Sequence, residues 1–322
     1  MTDSAPKTPP AQPRVVSVNI STEKGVPKKP CGPRHIGPNG LEGDAHAGFG
    51  HRQVSLLSQE SIQRFAQHHG REIRFGEFAE NITLAGIDLT QVRLLDRFHI
   101  GNTVLLEVTQ IGKKCHGDNC AIFQAVGQCV MPQEGIFSRV LTGGEIEPGD
   151  TVTHQPYTLK ALVITVSDRA AQGAYEDHSG PMAEAMLSKH FIQSKHWRLE
   201  IERQIIADEP ESLRTSISEA YASAVGIIIT TGGTGIGPRD ITPDVITPML
   251  DAQLPGIMDH VRLKYGAAKP GALLSRSIAG VLGSTLIFAL PGSPRAVDEY
   301  LTEILPLLEH MLFMVRGIDR HG

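Results

Sequence analysis

The stretch Thr230–Asp240 (TTGGTGIGPRD) places four glycines, three threonines, an arginine and an aspartate within eleven residues. Glycines let backbone N–H groups come close to an anion, and the positive end of a following helix adds to the attraction. Gly232, Gly233, Thr234 and Gly235, with Arg239 behind them, therefore read as a phosphate-binding loop; the bland alternative is a tight strand-to-helix turn. It is not a Walker loop, because no Gly-Lys-[Ser/Thr] follows, and Pro238 stands where a dinucleotide fingerprint needs its third glycine. Glycine, hydroxyl, Arg and Asp recur in Ser167-Asp168-Arg169, Ala207-Asp208-Glu209 and Pro291-Gly292-Ser293-Pro294-Arg295.

The first half of the chain carries different chemistry. Gly40–His46 is a Gly-rich loop with Asp44 and His46, followed by His51-Arg52. In Lys113-Lys114-Cys115-His116 two lysines adjoin a thiol, which lowers the thiol pKa and favours the nucleophilic thiolate. All four cysteines (Cys31, Cys115, Cys120, Cys129) lie in the first 130 residues. Three readings compete: a structural zinc site from Cys115, His116, Cys120 and Cys129; a reactive Cys115; and buried inert thiols. The C-x4-C spacing departs from the paired C-x-x-C units of well-defined zinc sites. Cys120 and Cys129 sit among apolar residues and read as buried.

These groups need elements to position them. A length of 322 residues suggests about two domains. Residues 1–13 hold four prolines and almost nothing apolar, and read as a disordered tail. Residues 14–154 show short alternating runs, namely Val15–Ile20, Val54–Leu57, Asn81–Leu84, Arg93–Ile100 and Thr103–Gln110, with one clear helix over Ser58–His69. Ser58 and Ser61 are both plausible caps of that helix, and Gly70 ends it. Many strands and few helices predict a small β-barrel or folded sheet. After a linker the rhythm changes. Over residues 158–322, apolar strands (Lys160–Val166, Trp197–Ile206, Val225–Thr231, Thr285–Leu290) alternate with helices at Pro181–His190, Pro210–Ala224, Pro243–Ala252 and Pro294–Met314. That pattern predicts an α/β/α domain on a mostly parallel sheet. In such folds ligands sit beyond the carboxyl ends of the strands, where the motifs above fall. Local alternatives stand beside them. Asp208-Glu209-Pro210-Glu211 reads equally well as a capping box, Ser179 and Thr242 as helix caps, Asp168 and Asp240 as turn residues, and Asp244 as a first-turn acid.

Composition narrows the function. No stretch approaches the roughly 18 apolar residues of a membrane span, and the first residues lack a signal-peptide pattern, so a cytoplasmic protein with reduced thiols is expected. A net charge of −5 with 5% aromatics argues against general nucleic-acid binding.

TTGGTGIGPRDITPD (Thr230–Asp244), with Ser167–Arg169, Asp208-Glu209, Leu274–Arg276 and Pro291–Pro294, resembles the molybdopterin adenylyltransferase family over about Thr158 to Arg316. The resemblance implies adenylylation of molybdopterin by Mg2+-ATP with release of pyrophosphate. It implies catalytic, metal-holding carboxylates at Asp208 and Asp240. It also implies phosphate or pterin contacts among Ser167, Asp168, Ser179, Gly232, Gly233, Thr234, Gly235, Arg239, Ser275, Pro291, Gly292 and Ser293, and a homotrimer. Gly40–Gly48, His51–Leu57, Phe75–Leu89 and Lys113–Leu141 resemble MOSC domains. That second resemblance implies a β-barrel that binds molybdenum cofactor or carries sulfur. Cys115 is its thiol, with Lys113, His46 and Arg139 as cofactor contacts. Glu80-Asn81 departs from the MOSC pattern, because Phe78-Ala79 intervene. Together the halves imply a bifunctional enzyme of molybdenum-cofactor biosynthesis, serving a molybdenum-insertion enzyme or apo-molybdoenzymes. The alternative is a cofactor-binding or storage protein without turnover.

Overall fold

The strands of the second half are apolar on both faces, and such strands are stable only when covered on both sides. In a computed structural model of the chain, which describes residues 12–114, 123, 129–194 and 196–318, three of them, Leu159–Val166, Ile227–Thr231 and Thr285–Leu290, lie inside a six-stranded sheet, and Leu199–Ile206, only half-buried, forms its edge. The chain divides into two units, Met1–Tyr157 and Thr158–Gly322.

In the second unit the strand order is Leu199–Ile206, Leu159–Val166, Ile227–Thr231, Thr285–Leu290, Ile278–Leu282, Ala252–Gln253. The first four are parallel and the last two antiparallel. Leu162, Ile164, Ile228 and Ile287 pack on Leu213 and Ile217 of the helix Pro210–Ala222, and on Val245 and Ile246. The long helices Ser179–Ser194 and Pro294–Met314 start at sheet-end loops. The expected helix Pro243–Ala252 is shorter: it spans Thr242–Ile246, and a 3-10 turn follows at Thr247–Met249. Pro248 has no N–H to continue the ladder, so the α-helix stops although Thr247 itself stays helical (φ −51°, ψ −47°). The helix Pro255–Gly266 and the antiparallel hairpin were not anticipated. The hairpin turns on Gly283-Ser284, with Gly283 at φ +56°, a local signal that sequence reading could have used.

In the first unit the main sheet runs Val152–Gln155, Arg97–Ile100, Val104–Ile111, Ile136–Thr142, Val54–Ser58, Ile82–Ala85, Arg14–Ile20, Lys29–Pro30. Val18, Leu56, Ile82, Phe98 and Leu106 form its core. Among the described residues these eight strands form no continuous closed ladder, so the expected barrel is not confirmed. Arg14 nevertheless bridges Thr151, and the Val15 N–H donates to Asp150 O (2.8 Å), tying the strand Arg14–Ile20 to the lead-in of Val152–Gln155. The helix Gln59–His69 is capped by the Ser58 hydroxyl, which accepts from the Ser61 N–H (3.0 Å), and it ends at Gly70 with φ 58°. The strand expected from Arg93 begins only at Arg97. The Asp96 carboxylate takes the Arg93 N–H (2.9 Å) into a turn instead, and Leu95 stands at φ +66°.

Candidate active site

Strand register assembles the site. Val166 pairs with Ile206, Thr165 with Thr231, and Thr231 with Leu290, so three level strand pairings bring the segments after them to one edge of the sheet. Beyond that edge lies a cleft of ≈ 380 Å³. Of the candidates, Ser167, Ser179, Asp208, Gly232, Gly233, Arg239, Asp240 and Gly292 line it.

Its floor is close-packed backbone. Gly232 has φ +103°, and a Cβ there would fall 2.3 Å from Val166 O; a Cβ on Gly292 would come 3.1 Å from Gly232 Cα. Glycine at 232 is thus required twice over, by conformation and by space. Gly232→Ala is expected to destabilise the second unit by about 2–3 kcal/mol, read as a lower urea midpoint for that unit. An unchanged midpoint would show that the loop relaxes freely.

The walls are acidic. The Asp168 N–H donates to Asp208 Oδ2 (3.2 Å), and the Asp208 N–H donates back to Asp168 Oδ1 (2.9 Å), locking two strand ends together. Asp240 Oδ2 accepts from the Gly237 N–H (2.7 Å). Neither Asp208 nor Asp240 commits its Oδ1 to a hydrogen bond among the described residues. Arg239, 77% exposed, lies 3.6 Å from Asp168 Oδ2. Asp177 and Tyr175 also line the cleft, although neither was singled out from the sequence. Three aspartates, Asp177, Asp208 and Asp240, line the cleft beside one exposed arginine, Arg239. Among the described residues no three His, Cys, Asp or Glu side chains form a ready-made metal cage. That suits Mg2+, which is usually held by one or two carboxylates together with substrate phosphates and water.

Several local readings are corrected. Asp208 does not cap the helix Pro210–Ala222; the cap position is Glu209, and it makes no side-chain cap bond. The helix Ser179–Ser194 is capped by Asp177, whose Oδ1 accepts from the Ser179 and Gly180 N–H groups (3.0 Å each), while the Ser179 hydroxyl donates to Gly292 O (2.6 Å). Thr242 opens its helix rather than capping it, and its hydroxyl donates to Gly232 O (2.9 Å). Ser167 and Ser293 are helix caps, accepting from the N–H groups of Ala170 (3.3 Å) and Ala296 (3.2 Å). Asp168, Thr234, Gly235, Pro291 and Ser293 do not line the cleft; Asp168 stands behind it, bonded to Asp208. Ser275 lines a second one, of ≈ 440 Å³, and its hydroxyl lies 3.5 Å from that of Thr234.

Two family models match the chain. Residues 162–310 match the MoCF_biosynth family, described as "Probable molybdopterin binding domain", and residues 33–153 match the MOSC domain family. A molybdopterin adenylyltransferase of Helicobacter pylori is 33% identical over 161 residues, which cover 50% of this chain and 89% of that protein. The chain belongs to the MoCF_biosynth family. A molybdenum cofactor biosynthesis bifunctional protein of Synechococcus elongatus is 38% identical over 162 residues; the match spans about half of that relative (49%) and 50% of this chain. A solved molybdopterin biosynthesis enzyme, MoaB of Thermus thermophilus, is 34% identical, with 50% of this chain and 98% of that chain covered at a TM-score of 0.45.

In the MOSC unit, upstream of the MoCF_biosynth domain, the candidate thiol Cys115, with His116 and Cys120, lies outside the described residues, so the three cysteine readings stand. Cys129 is half-buried against the Leu57–Phe78 cluster. Asp44 and Lys28 form a buried ion pair, with Lys28 Nζ 2.7 and 2.6 Å from the two carboxylate oxygens. Asp44 also accepts from the His46 N–H (3.0 Å), and the His46 ring lies 3.5 Å from the same carboxylate, so His46 adjoins this pair. Arg139, expected as an anion contact, donates to Glu107 (3.0 and 2.7 Å) in a cross-strand row with Arg97. Glu80 and Asn81 are buried and bond inward, Glu80 to the Gly76 N–H and Asn81 to Ser55. That supports a structural role for both.

Proposed function

We propose that the second unit transfers the adenylyl group of ATP to the terminal phosphate of molybdopterin. A phosphate oxygen of the pterin forms a bond to the α-phosphorus, the bond from that phosphorus to the β-phosphate bridge breaks, and pyrophosphate leaves with the electron pair. The observation that carries this reading is the meeting of Asp208 and Asp240 at one glycine-floored cleft, each with a carboxylate oxygen uncommitted among the described residues. Joining two polyanions is largely a matter of positioning and charge neutralisation. Asp208 and Asp240 would hold Mg2+, which when bound supplies that neutralisation. The glycine floor lets backbone approach the phosphates, Arg239 adds a cation at the rim, and Tyr175 offers an aromatic surface beside the nucleotide. Ser275, across the Thr234 contact, belongs to the pterin side.

The MOSC unit is proposed to bind the product or the mature cofactor, with Cys115 as sulfur carrier or metal ligand and Lys113, His46 and Arg139 around it. By resemblance the enzyme would act in the cytoplasm as a homotrimer and serve a molybdenum-insertion enzyme or apo-molybdoenzymes. The test is pyrophosphate release by the full chain with Mg2+-ATP, with and without molybdopterin. Release that depends on the pterin is expected. Retention of pterin without release would instead favour a storage protein.

A further inference from the structure

One side chain outside the cleft joins the pieces that carry Asp240. The Arg276 Nε donates to Gly235 O (2.8 Å), its Nη2 donates to Asp240 O, and its Nη1 lies 2.9 and 3.1 Å from the two carboxylate oxygens of Asp244. Its backbone N–H donates to Thr234 O (2.8 Å). The planar guanidinium therefore pins both ends of the segment 235–240 and ties them to the helix that follows. Among the described residues the Asp240 carboxylate itself takes one hydrogen bond, from the Gly237 N–H within the same segment. Its direction thus depends on the segment's path, and that path depends on Arg276. A lysine could not replace it, because a single ammonium on a flexible stem cannot present a rigid fork to acceptors in three directions. Arg276 lines the second cleft with Ser275, at the boundary between the two sites, and does not line the first.

We propose that Arg276 is a positioning residue for adenylyl transfer: by clamping Gly235, Asp240 and Asp244 it sets the Asp240 carboxylate toward the nucleotide cleft. The proposal rests on the adenylyl-transfer reading above, and its experiment separates the two. In the full chain, Arg276→Gln and Arg276→Lys are expected to lose about 100-fold in kcat for pyrophosphate release, the scale of a misplaced catalytic group, with KM for ATP changed by less than about threefold. The Mg2+ concentration giving half-maximal rate should rise in both variants. The half-exposed position admits small molecules, so added guanidinium should restore part of the rate of Arg276→Ala, while ammonium at equal ionic strength should not. A loss merely of folded protein would show neither the Mg2+ shift nor the selective rescue. Hydrogen exchange supplies a readout that needs no turnover: peptides covering residues 234–241 should exchange about tenfold faster in Arg276→Gln, with the rest of the sheet unchanged. Wild-type rates in Arg276→Gln, or unaltered protection of 234–241, would overturn the proposal. Wild-type protein that releases no pyrophosphate would overturn the adenylyl-transfer reading, leaving the clamp to be judged by exchange alone.

Discussion

Asp240→Asn is expected to lower pterin-dependent pyrophosphate release by at least about 100-fold while the protein unfolds at the wild-type temperature. The asparagine oxygen can still accept from the Gly237 N–H, the hydrogen bond that the Asp240 carboxylate takes within its turn, so the turn should persist. What disappears is a negative charge in a cleft where Asp208 then stands as the remaining candidate metal carboxylate. The binding of ATP in the absence of Mg2+ should change little or tighten, because a repulsive charge is gone; that contrast separates a metal-holding role from a structural one. Undiminished turnover would remove Asp240 from the mechanism and return it to the role of a turn residue.

Asp44→Ala is expected to destabilise the first unit by about 3–5 kcal/mol, the usual consequence of removing one partner of a buried ion pair. Asp44 is 6% and Lys28 4% exposed. The substitution strands the Lys28 ammonium and also frees the Ser21 and His46 N–H groups (3.1 and 3.0 Å). Burial by itself would raise the Asp44 pKa. The bonds from His46 and Lys28 and the Lys28 charge outweigh burial and hold that carboxyl well below the usual range. A folded-state pKa below the unfolded value means that the stabilisation is complete above the unfolded carboxylate value of about 4 and is lost as pH falls toward the depressed folded one. The gap in urea midpoint between wild type and Asp44→Ala, followed for the first unit by exchange of its own peptides, should therefore be widest near pH 7 and shrink below about pH 4. A gap of the same size at pH 3 and pH 7 would mean that the pair contributes through packing rather than charge.

Much of this architecture is written locally. The buried runs Leu159–Val166, Ile227–Thr231 and Thr285–Leu290 announce a covered parallel sheet, because only such a sheet buries both faces of a strand. The glycines at 232 and 233 announce a loop that must take positive φ. Ser58 and Gly70 bracket the helix between them, because capping chemistry acts within three or four residues.

What depended on register and distant partners was not legible. Asp208 in its local setting is as good a helix cap as a ligand; it faces the cleft because Val166 and Ile206 end level and place Asp168 beside it. Arg139 meets Glu107 because their two strands pair residue against residue there. Arg276 reaches Gly235, 41 positions earlier in the chain, and no local pattern names that partner. Alternating apolar residues foretold a folded sheet in the first unit, but whether its edges close depends on strands far apart in sequence, and among the described residues Arg14–Ile20 and the lead-in to Val152–Gln155 meet through one bridge and a few backbone bonds. Short-range rules determine which elements form and which residues sit in their loops; the tertiary structure alone decided which of those loops share a cleft, because hydrogen-bond partners and burial are set by neighbours in space rather than along the chain.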